Sequence, residues 1–365
     1  MVNTPQFIRS IVLTTRIRLA RNLVGFPFPT KMSEAHAGEI LYLVEDALNK
    51  IDPDEYTRYY VRDLKNMQAT LLQEQYLIST ALRRHARIGA AYVSLDKTVS
   101  IMVNEEDHLR EQYICKGFEL KKAYERLSAI DDGLSNVLNF AFDEKLGYLT
   151  SCPSNIGTGM RASVMMYLPG LTWKREIANV LREWKEQGMT IRGSLGEGSE
   201  VEGCLYQVSN ERTLGWSEKE ILEKVSEFAM NLCDRELRAR EQMLNRMETE
   251  LRDRCLRAYG ALCNCALLDL DEFLRKSADV RLGLALGFLD AEDYEAFEEF
   301  MDDMRPATFC MDNNLEGENE RFYDEVRAET VGSVLPKIVE VVRRGDKMRR
   351  RGFGSATFET DGQEE

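Results

Sequence analysis

Five arginines in this sequence are placed where their chemistry would matter. Arg16 and Arg18 alternate within the strand-like segment Thr15-Arg16-Ile17-Arg18-Leu19, so both side chains point to one face. Arg110 follows a strand-to-loop transition. Arg161 closes the Gly-rich segment that runs from Gly147 through Cys152, Gly157 and Gly159, and Arg192 opens a second one, Arg192-Gly193-Ser194-Leu195-Gly196-Glu197-Gly198. A guanidinium stays charged and can grip two oxygens at once, while glycines let backbone N–H groups approach an anion closely. Such pieces suit a site that holds nucleotide phosphates and a moving phosphoryl group, where catalysis is mostly positioning and electrostatic stabilisation. A lone arginine would be read as a surface salt bridge. The glycine segment lacks the Gly-Lys-Ser/Thr ending of a P-loop and the Lys and Asp signatures of protein kinases, and alone it is only a plausible phosphate site.

Taken in order, the blocks Thr15–Asn22, Asn104-Glu105-Glu106-Asp107-His108-Leu109-Arg110, Gly147–Arg161 and Arg192–Gly198 resemble those of the phosphagen (guanidino) kinase superfamily. Within it the sequence looks most like the bacterial protein-arginine kinases. The resemblance covers most of residues 10–260. It implies ATP as phosphoryl donor, with Mg2+ bridging the nucleotide phosphates and few direct protein ligands; no protein metal site is expected. It implies that the nucleotide is held by Thr15, Arg16, Ile17, Arg18, Leu19, Tyr76, Arg110, Arg161, Ala162, Ser163, Val164, Met165, Arg192, Gly193, Ser194, Leu195 and Gly196.

A guanidinium is a poor nucleophile because its pKa lies above about 12, so an enzyme that phosphorylates it must set carboxylates against it. These align the attacking nitrogen and accept its proton. In the family pattern the second glutamate of Asn-Glu-Glu-Asp and the glutamate of Arg-Gly-x-x-Gly-Glu do this; here they are Glu106, the expected base, and Glu197, the second clamp. His108 is expected as a structural hydrogen-bond donor. Cys152 stands where the superfamily places a reactive cysteine near the guanidino group, and is expected to tune the site without forming a covalent intermediate.

Three departures from the family pattern stand out. Few residues precede Arg16, whereas the animal creatine and arginine kinases begin with a separate helical domain; a more open site would suit an arginine on a protein. Gln75-Tyr76-Leu77-Ile78-Ser79 stands where the family has Lys-His-Leu-Ile-Ser, so Tyr76 would edge the adenine in place of a histidine, with His85 nearby. The family's Arg-Asp-x-x-Arg-Ala motif, an allosteric phosphoarginine site, corresponds to Tyr323-Asp324-Glu325-Val326-Arg327-Ala328, with its first cation lost. Asp324 and Arg327 would remain to pair with a guanidinium and a phosphate.

These residues need elements to hold them. Ser33 caps an amphipathic helix over 33–50, and Val99–Asn104 alternates as a strand into Glu105. A helix over 119–142 is expected to break near Asp131-Asp132-Gly133. Strands follow near 146–151, 161–168, 189–193 and 203–209, around a helix at 173–187. After Trp216 a long charged helix begins at Ser217 and reaches about Ala258; only helices are expected beyond. The fold expected is α+β, a mainly antiparallel sheet flanked by helices, followed by an all-α domain. The expected limits are 1–235 for the catalytic domain, 236–345 for a helical dimerisation and docking domain, and 346–365 for a disordered tail after the basic run 343–351.

Composition narrows the partners. A net charge of −14 argues against nucleic acid and suits a basic client. No apolar run of membrane-spanning length and no signal peptide are evident, and eight scattered cysteines fit a reduced cytoplasm. The leading expectation is therefore an ATP-dependent kinase of exposed arginines on proteins. The resemblance further implies a homodimer, a role in stress response and marking for Clp-type degradation, with a transcriptional repressor, an activating adaptor and a Clp ATPase as partners. The alternatives are a kinase of free arginine or a related small guanidino compound, and a degenerate kinase acting as a regulatory scaffold, to which Tyr76 and Tyr323 lend support.

Overall fold

A computed structural model describes residues 6–193, 202–291 and 293–343. Ser194, Leu195, Gly196, Glu197 and the tail from residue 344 onward lie outside the described residues.

The N-terminal part is built on alternation. Its elements in chain order are α1 (Gln6–Arg9), β1 (Val12–Arg21), α2 (Glu34–Ile51), β2 (Tyr56–Tyr60), α3 (Asn66–Glu74), α4 (Thr80–Arg84), β3 (Ala90–Ser94), β4 (Val99–Val103), β5 (Leu109–Lys116) and α5 (Leu120–Ser135). A two-residue hairpin β6 (Phe142–Asp143) and β7 (Gly147–Tyr148) precedes β8 (Met160–Tyr167), α6 (Pro169–Lys174), α7 (Ile177–Lys185), β9 (Met189–Gly193) and β10 (Leu205–Asn210). Among the described residues eight strands form one sheet in the order β2-β3-β4-β5-β1-β8-β10-β9. Every pairing in it is antiparallel. The α+β class expected from the sequence holds.

The two faces of this sheet differ in chemistry. One carries Ile17, Leu19, Val99, Ile101, Met160, Ala162, Val164 and Val208 into the main core, together with Ile40 and Val44 of α2 and Leu127 and Leu134 of α5. Burying each such side chain is worth about 1.5–3 kcal/mol, which fixes the register because a one-residue slip would turn the face out. On the other face Ala91, Val93 and Met102 pack under Leu72, Leu77, Ile78 and Leu82 of the α3–α4 segment. Beyond that covered end, strands β5, β1, β8, β10 and β9 carry mostly polar and cationic side chains on this second face.

α5 runs unbroken through Asp131-Asp132-Gly133, where a break was expected. Asp131 faces inward as the partner of buried Arg21 (Nη2···Oδ2 2.7 Å), and a Cβ at Gly133 would meet Ile51 of α2 at 3.2 Å. Tertiary pairing and close helix packing thus outweigh the turn-like composition.

The long helix α8 (Glu218–Asn264) opens with a capping box between Ser217 and Glu220. Ile221 to Ala239 pack on the main core, Met247 departs from helical angles (φ −142°), and Leu251 to Leu262 serve the C-terminal cores. Then come α9 (Leu270–Leu286), β11 (Leu289–Asp290), α10 (Tyr294–Asp303), α11 (Pro306–Asp312), α12 (Glu320–Ile338) and β12 (Glu340–Val341). The β11–β12 pair is a small departure from the all-helical expectation. Phe273, Phe297, Phe309, Val331 and Leu335 centre this second core. Among the described residues no helix is long and apolar enough to cross a membrane.

Candidate active site

Strand register decides which side chains meet. Arg18 lies opposite Arg161 on β8 and opposite Gln112 on β5; Arg16 lies opposite Ser163; Ala20 lies opposite Arg110. Ser163 and Met165 lie opposite Ser209 and Gln207 of β10, and Gln207 lies opposite Arg192 of β9. Directly opposed residues share a face, so Arg192, Arg161, Arg16, Arg18 and Arg110 form one diagonal stripe across five adjacent strands. Sequence positions up to 176 apart thereby converge, as the spacing of the arginines requires.

The same pleat corrects part of the expected nucleotide set. Ile17, Leu19, Ala162 and Val164 point into the core on the opposite face, and their backbone groups are engaged in the strand ladders. Thr15 also faces away: its hydroxyl donates to the Gly117 carbonyl (2.7 Å) and accepts from the Glu119 N–H (3.0 Å). Of these segments, only the alternate side chains of Arg16, Arg18, Arg161, Ser163 and Met165 lie on the cationic face.

The stripe is electrostatically loaded. Arg16 and Arg18 are half-buried, yet their Nε atoms are inaccessible and have no hydrogen-bond partner among the described residues. Burial, with Arg110 and Arg161 beside it and Tyr76 partly offsetting them, pushes the Arg16 guanidinium down to about 10. Burial, then Arg16, Arg110 and Arg161, holds the Arg18 guanidinium well below its ordinary value, with Glu105 partly offsetting them. Arg161 donates to Ser209 Oγ (3.0 Å).

The acidic block caps one end of the stripe. Asn104 adopts left-handed backbone (φ +61°) and its amide donates to the carbonyls of Ala37 (3.1 Å) and Ile88 (2.9 Å), which turns the chain sharply between β4 and β5. Glu105 is fully buried and pairs with Arg110 (2.6 Å); it also accepts from Ser79 Oγ. Burial alone would raise its carboxyl, but the Arg110 charge and the hydrogen bonds hold it below the ordinary value. Glu106, the next residue, is exposed and has no such partner among the described residues. Of the two adjacent glutamates, one anchors an arginine and the other is open to a substrate.

Asp107 and His108 fasten this loop to its neighbours. Asp107 Oδ1 accepts from Asn22 Nδ2 and from the Ser151 N–H, both at 2.6 Å. Asn22 Oδ1 accepts the His108 N–H (2.9 Å), and its amide also donates to the Leu149 carbonyl (3.0 Å). The His108 ring accepts from the Leu23 N–H at Nδ1 (3.0 Å) and faces the Pro27 carbonyl at Nε2 (2.9 Å), as a neutral Nε2–H tautomer would; burial lowers its pKa. This is a structural role. Asn22, whose importance sequence reasoning missed, thus ties the Glu106 loop to the segment that presents Cys152. Cys152 is half-buried, with Sγ 3.0 Å from Ser154 Oγ.

The glycines of that segment serve close chain approach. Gly147 and Gly157 have positive φ, and a Cβ on Gly147 would stand 2.3 Å from the Gly157 carbonyl oxygen. Gly159 (φ +64°) leaves room for the Ala20 carbonyl and the Arg21 guanidinium, each 2.7 Å from where its Cβ would be. They pack the loop so that β8 delivers Arg161, which differs from the phosphate-cradling role expected of them.

Tyr76 sits at the wall of the stripe, with left-handed backbone (φ +58°), a half-exposed ring and its carbonyl held by Gln112 Nε2. His85 ends α4. In the C-terminal part, Tyr323 donates its hydroxyl to the Leu315 carbonyl (2.9 Å) and lies 3.0 Å from Cys310 Sγ. Arg327 is buried, donating to the Leu268 carbonyl (2.7 Å) and Asp324 (2.9 Å) beneath Phe309, and Ala328 is buried beside it. Asp324 is the more accessible member of this group.

A family described as ATP:guanido phosphotransferase, C-terminal catalytic domain, matches residues 39–239, and one described as Protein-arginine kinase McsB C-terminal domain matches residues 248–344. A protein-arginine kinase of Caldanaerobacter subterraneus subsp. tengcongensis is 39% identical over 335 residues, 91% of this chain and 99% of that protein. The chain belongs to the protein-arginine kinase family. It is a kinase of the guanidino phosphotransferase type. The protein-arginine kinase of Geobacillus stearothermophilus is 40% identical, covering 80% of this chain and 81% of that one. Among solved structures, a lombricine kinase is similar with a TM-score of 0.56 and 26% identity, over 63% of this chain and 67% of its own. The duplicated taurocyamine kinase of Schistosoma mansoni, with bound transition state analog components, gives 0.58 and 27%, over 65% of this chain and 34% of that one. Both are phosphagen kinases, and the arginine stripe lies in the part of the chain that the guanidino family model spans, apart from Arg16 and Arg18 just before it.

Proposed function

We propose that this chain transfers the γ-phosphoryl group of ATP to arginine side chains of proteins, forming N-phosphoarginine. The observation that carries the reading is the stripe of guanidinium groups, two of them with buried Nε atoms that have no hydrogen-bond partner among the described residues, ending at a loop that exposes one carboxylate, Glu106. The stripe fits a polyphosphate, and Glu106 fits a guanidinium. In the reaction a guanidino nitrogen forms a P–N bond as the bond between the γ-phosphorus and the β,γ-bridging oxygen of ATP breaks. ADP leaves and the nitrogen's proton passes to Glu106. Arg16, Arg18 and Arg161 bear the charge that develops on the phosphate oxygens. Glu197 is assigned the second clamp, and Cys152 a tuning role beside the guanidino group.

Mg2+ would arrive on the nucleotide. The described residues include no group of three His, Cys, Asp or Glu side chains able to hold a metal, and a cationic face suits a metal already bound to phosphate. A protein substrate is favoured over free arginine by the names of the relatives and by the C-terminal domain they share. We assign the chain to the cytoplasm as a homodimer. On the same family grounds we assign it to stress response and to marking of proteins for Clp-type degradation, with a repressor, an adaptor and a Clp ATPase as partners. Residual phosphoarginine recognition is proposed at Asp324 and Arg327.

The test incubates the purified chain with Mg2+-ATP and either a basic protein or free arginine, and reads acid-labile phosphoarginine by mass spectrometry. Product is expected on the protein and lost in Glu106→Gln, with ATP binding retained. Product on free arginine alone would move the substrate assignment, and no product on any client would favour a scaffold.

A further inference from the structure

A clasp between the two domains lies at the edge of the arginine stripe. Glu74, the last residue of α3, belongs to the catalytic domain. Its carboxylate accepts the Ala307 N–H at 2.9 and 3.0 Å, and the Thr308 N–H at 3.1 Å, at the start of α11. Arg305, the residue before α11, reaches back. One Nη donates to the Glu74 carbonyl and the other to Asp302 (2.6 Å), while its guanidinium lies 4.7 Å over the Tyr76 ring. Met67 of α3 packs against the C-terminal core nearby.

Tyr76 is the residue this clasp restrains. A bulky side chain in left-handed backbone is uncommon and persists only where its surroundings over-determine it. Here Gln112, directly across from Arg18, holds the Tyr76 carbonyl from below, and Arg305 covers the ring from the other domain. The residue remains 46% exposed and stands close enough to Arg16 to favour its charged form. Two restraints from two domains thus meet on one strained aromatic at the border of the cation face.

We propose that Arg305 and Glu74 are positioning residues for the nucleotide. The C-terminal domain, docked through this clasp, holds the Tyr76 ring where the base of ATP packs, so that nucleotide affinity depends on the docked domain. This rests on the reading of the stripe as the ATP site.

The experiment uses the full-length chain and three variants, Arg305→Met, Arg305→Lys and Glu74→Gln, each checked for a cooperative thermal transition. Calorimetry reads the Kd for ATP without turnover, and steady-state assays read KM for ATP and for a basic client separately. From the strength of a cation–π contact, Arg305→Met and Glu74→Gln are expected to weaken ATP binding about five- to tenfold. KM for the client and kcat are expected to stay within about twofold, because the clasp acts on the site through Tyr76. Arg305→Lys keeps a cation over the ring and recovers part of the loss. In a Tyr76→Ala background, Arg305→Met adds nothing further, as a shared contact requires. Wild-type ATP affinity in Arg305→Met, or a loss that adds fully to that of Tyr76→Ala, would overturn the proposal. A fall in melting temperature alone would reduce the clasp to a structural contact and overturn it equally. Failure of the wild-type chain to bind ATP would sink the nucleotide reading, and this inference with it.

Discussion

The molecule buries two kinds of arginine within one sheet and its supports. Arg21 is fully enclosed, yet every part of its guanidinium is answered: Asp131 takes Nε (2.9 Å) and Nη2 (2.7 Å), and the carbonyls of Ala20 and Thr158 take Nη1 (3.0 Å each). Tyr148 lies under its plane at 3.5 Å. Arg240 is treated alike by Glu236 (2.8 Å), Ser10 and the Tyr167 carbonyl. Three residues before Arg21 on the same strand, Arg18 shares its surroundings with Arg16, Arg110 and Arg161, and its Nε has no hydrogen-bond partner among the described residues. The fold shows that it can neutralise a buried cation completely. Where it leaves cations crowded together, the proposed function reads the charge as awaiting an anion from outside, with the repulsion as the cost of keeping the site ready.

The comparison predicts opposite outcomes for similar substitutions. Arg18→Met should remove a charge that meets the transferring phosphoryl group, and lower the rate of phosphoarginine formation by about 10^3-fold. It should leave stability unchanged or higher, because repulsion with Arg16 and Arg110 is relieved. Arg21→Met leaves Asp131 buried and unpaired beside Glu111, whose carboxyl burial already pushes well up, and should cost about 3–5 kcal/mol. Urea unfolding with a rate assay on the same preparations separates the two; a large stability loss in Arg18→Met would erase the distinction.

A middle-sized effect concerns ligand linkage. If the stripe awaits a polyanion, ATP or tripolyphosphate at about 100 times its Kd should stabilise the wild-type fold by about 2.7 kcal/mol. The increment should persist in a still-folded Arg240→Lys chain, where the altered cation is internal, and shrink in Arg16→Met and Arg18→Met. Equal increments in all four, read by thermal unfolding against ligand concentration, would mean that the polyanion binds elsewhere.

How much of this could be read before folding depends on whether an interaction is local. Arg16 and Arg18 were legible because strand alternation is local. The same rule, applied residue by residue, would have removed Ile17, Leu19, Ala162 and Val164 from the nucleotide set; treating whole segments as binding hid it. The arginine blocks and the acidic loop could be recognised by type, and the sheet's antiparallel character by its closely spaced strands. Asn22 could not be singled out, since its value lies in bridging Asp107 and Leu149, far away in sequence. The Glu74–Arg305 clasp spans 231 positions and involves residue types common on any surface. Glycines proved ambiguous for a related reason: positive φ at Gly147 and Gly157 is demanded both by an anion cradle and by two chains in contact, and only the neighbouring chain decides.

The smallest effect distinguishes two adjacent carboxylates. Glu105 is buried against Arg110, whereas Glu106 lies exposed, so replacing each by glutamine should act on different properties. Glu106→Gln should leave stability nearly unchanged at neutral pH. Glu105→Gln should destabilise at neutral pH, because Arg110 loses its counter-charge and Ser79 its acceptor. The pH dependence has a definite sign. The folded state holds the Glu105 carboxyl below its ordinary value of 4.5, so the unfolded chain binds the proton more readily. The stability this carboxylate contributes is therefore fully present above about 4.5 and fades as pH falls through the lower, folded value. The gap between wild type and Glu105→Gln should accordingly narrow below about pH 4.5. The comparison of chemical unfolding midpoints between pH 7 and pH 3.5 reads this directly. A gap that stayed constant with pH would place the Glu105 contribution in packing, and a gap shared by Glu106→Gln would mean that the two carboxylates form one coupled unit.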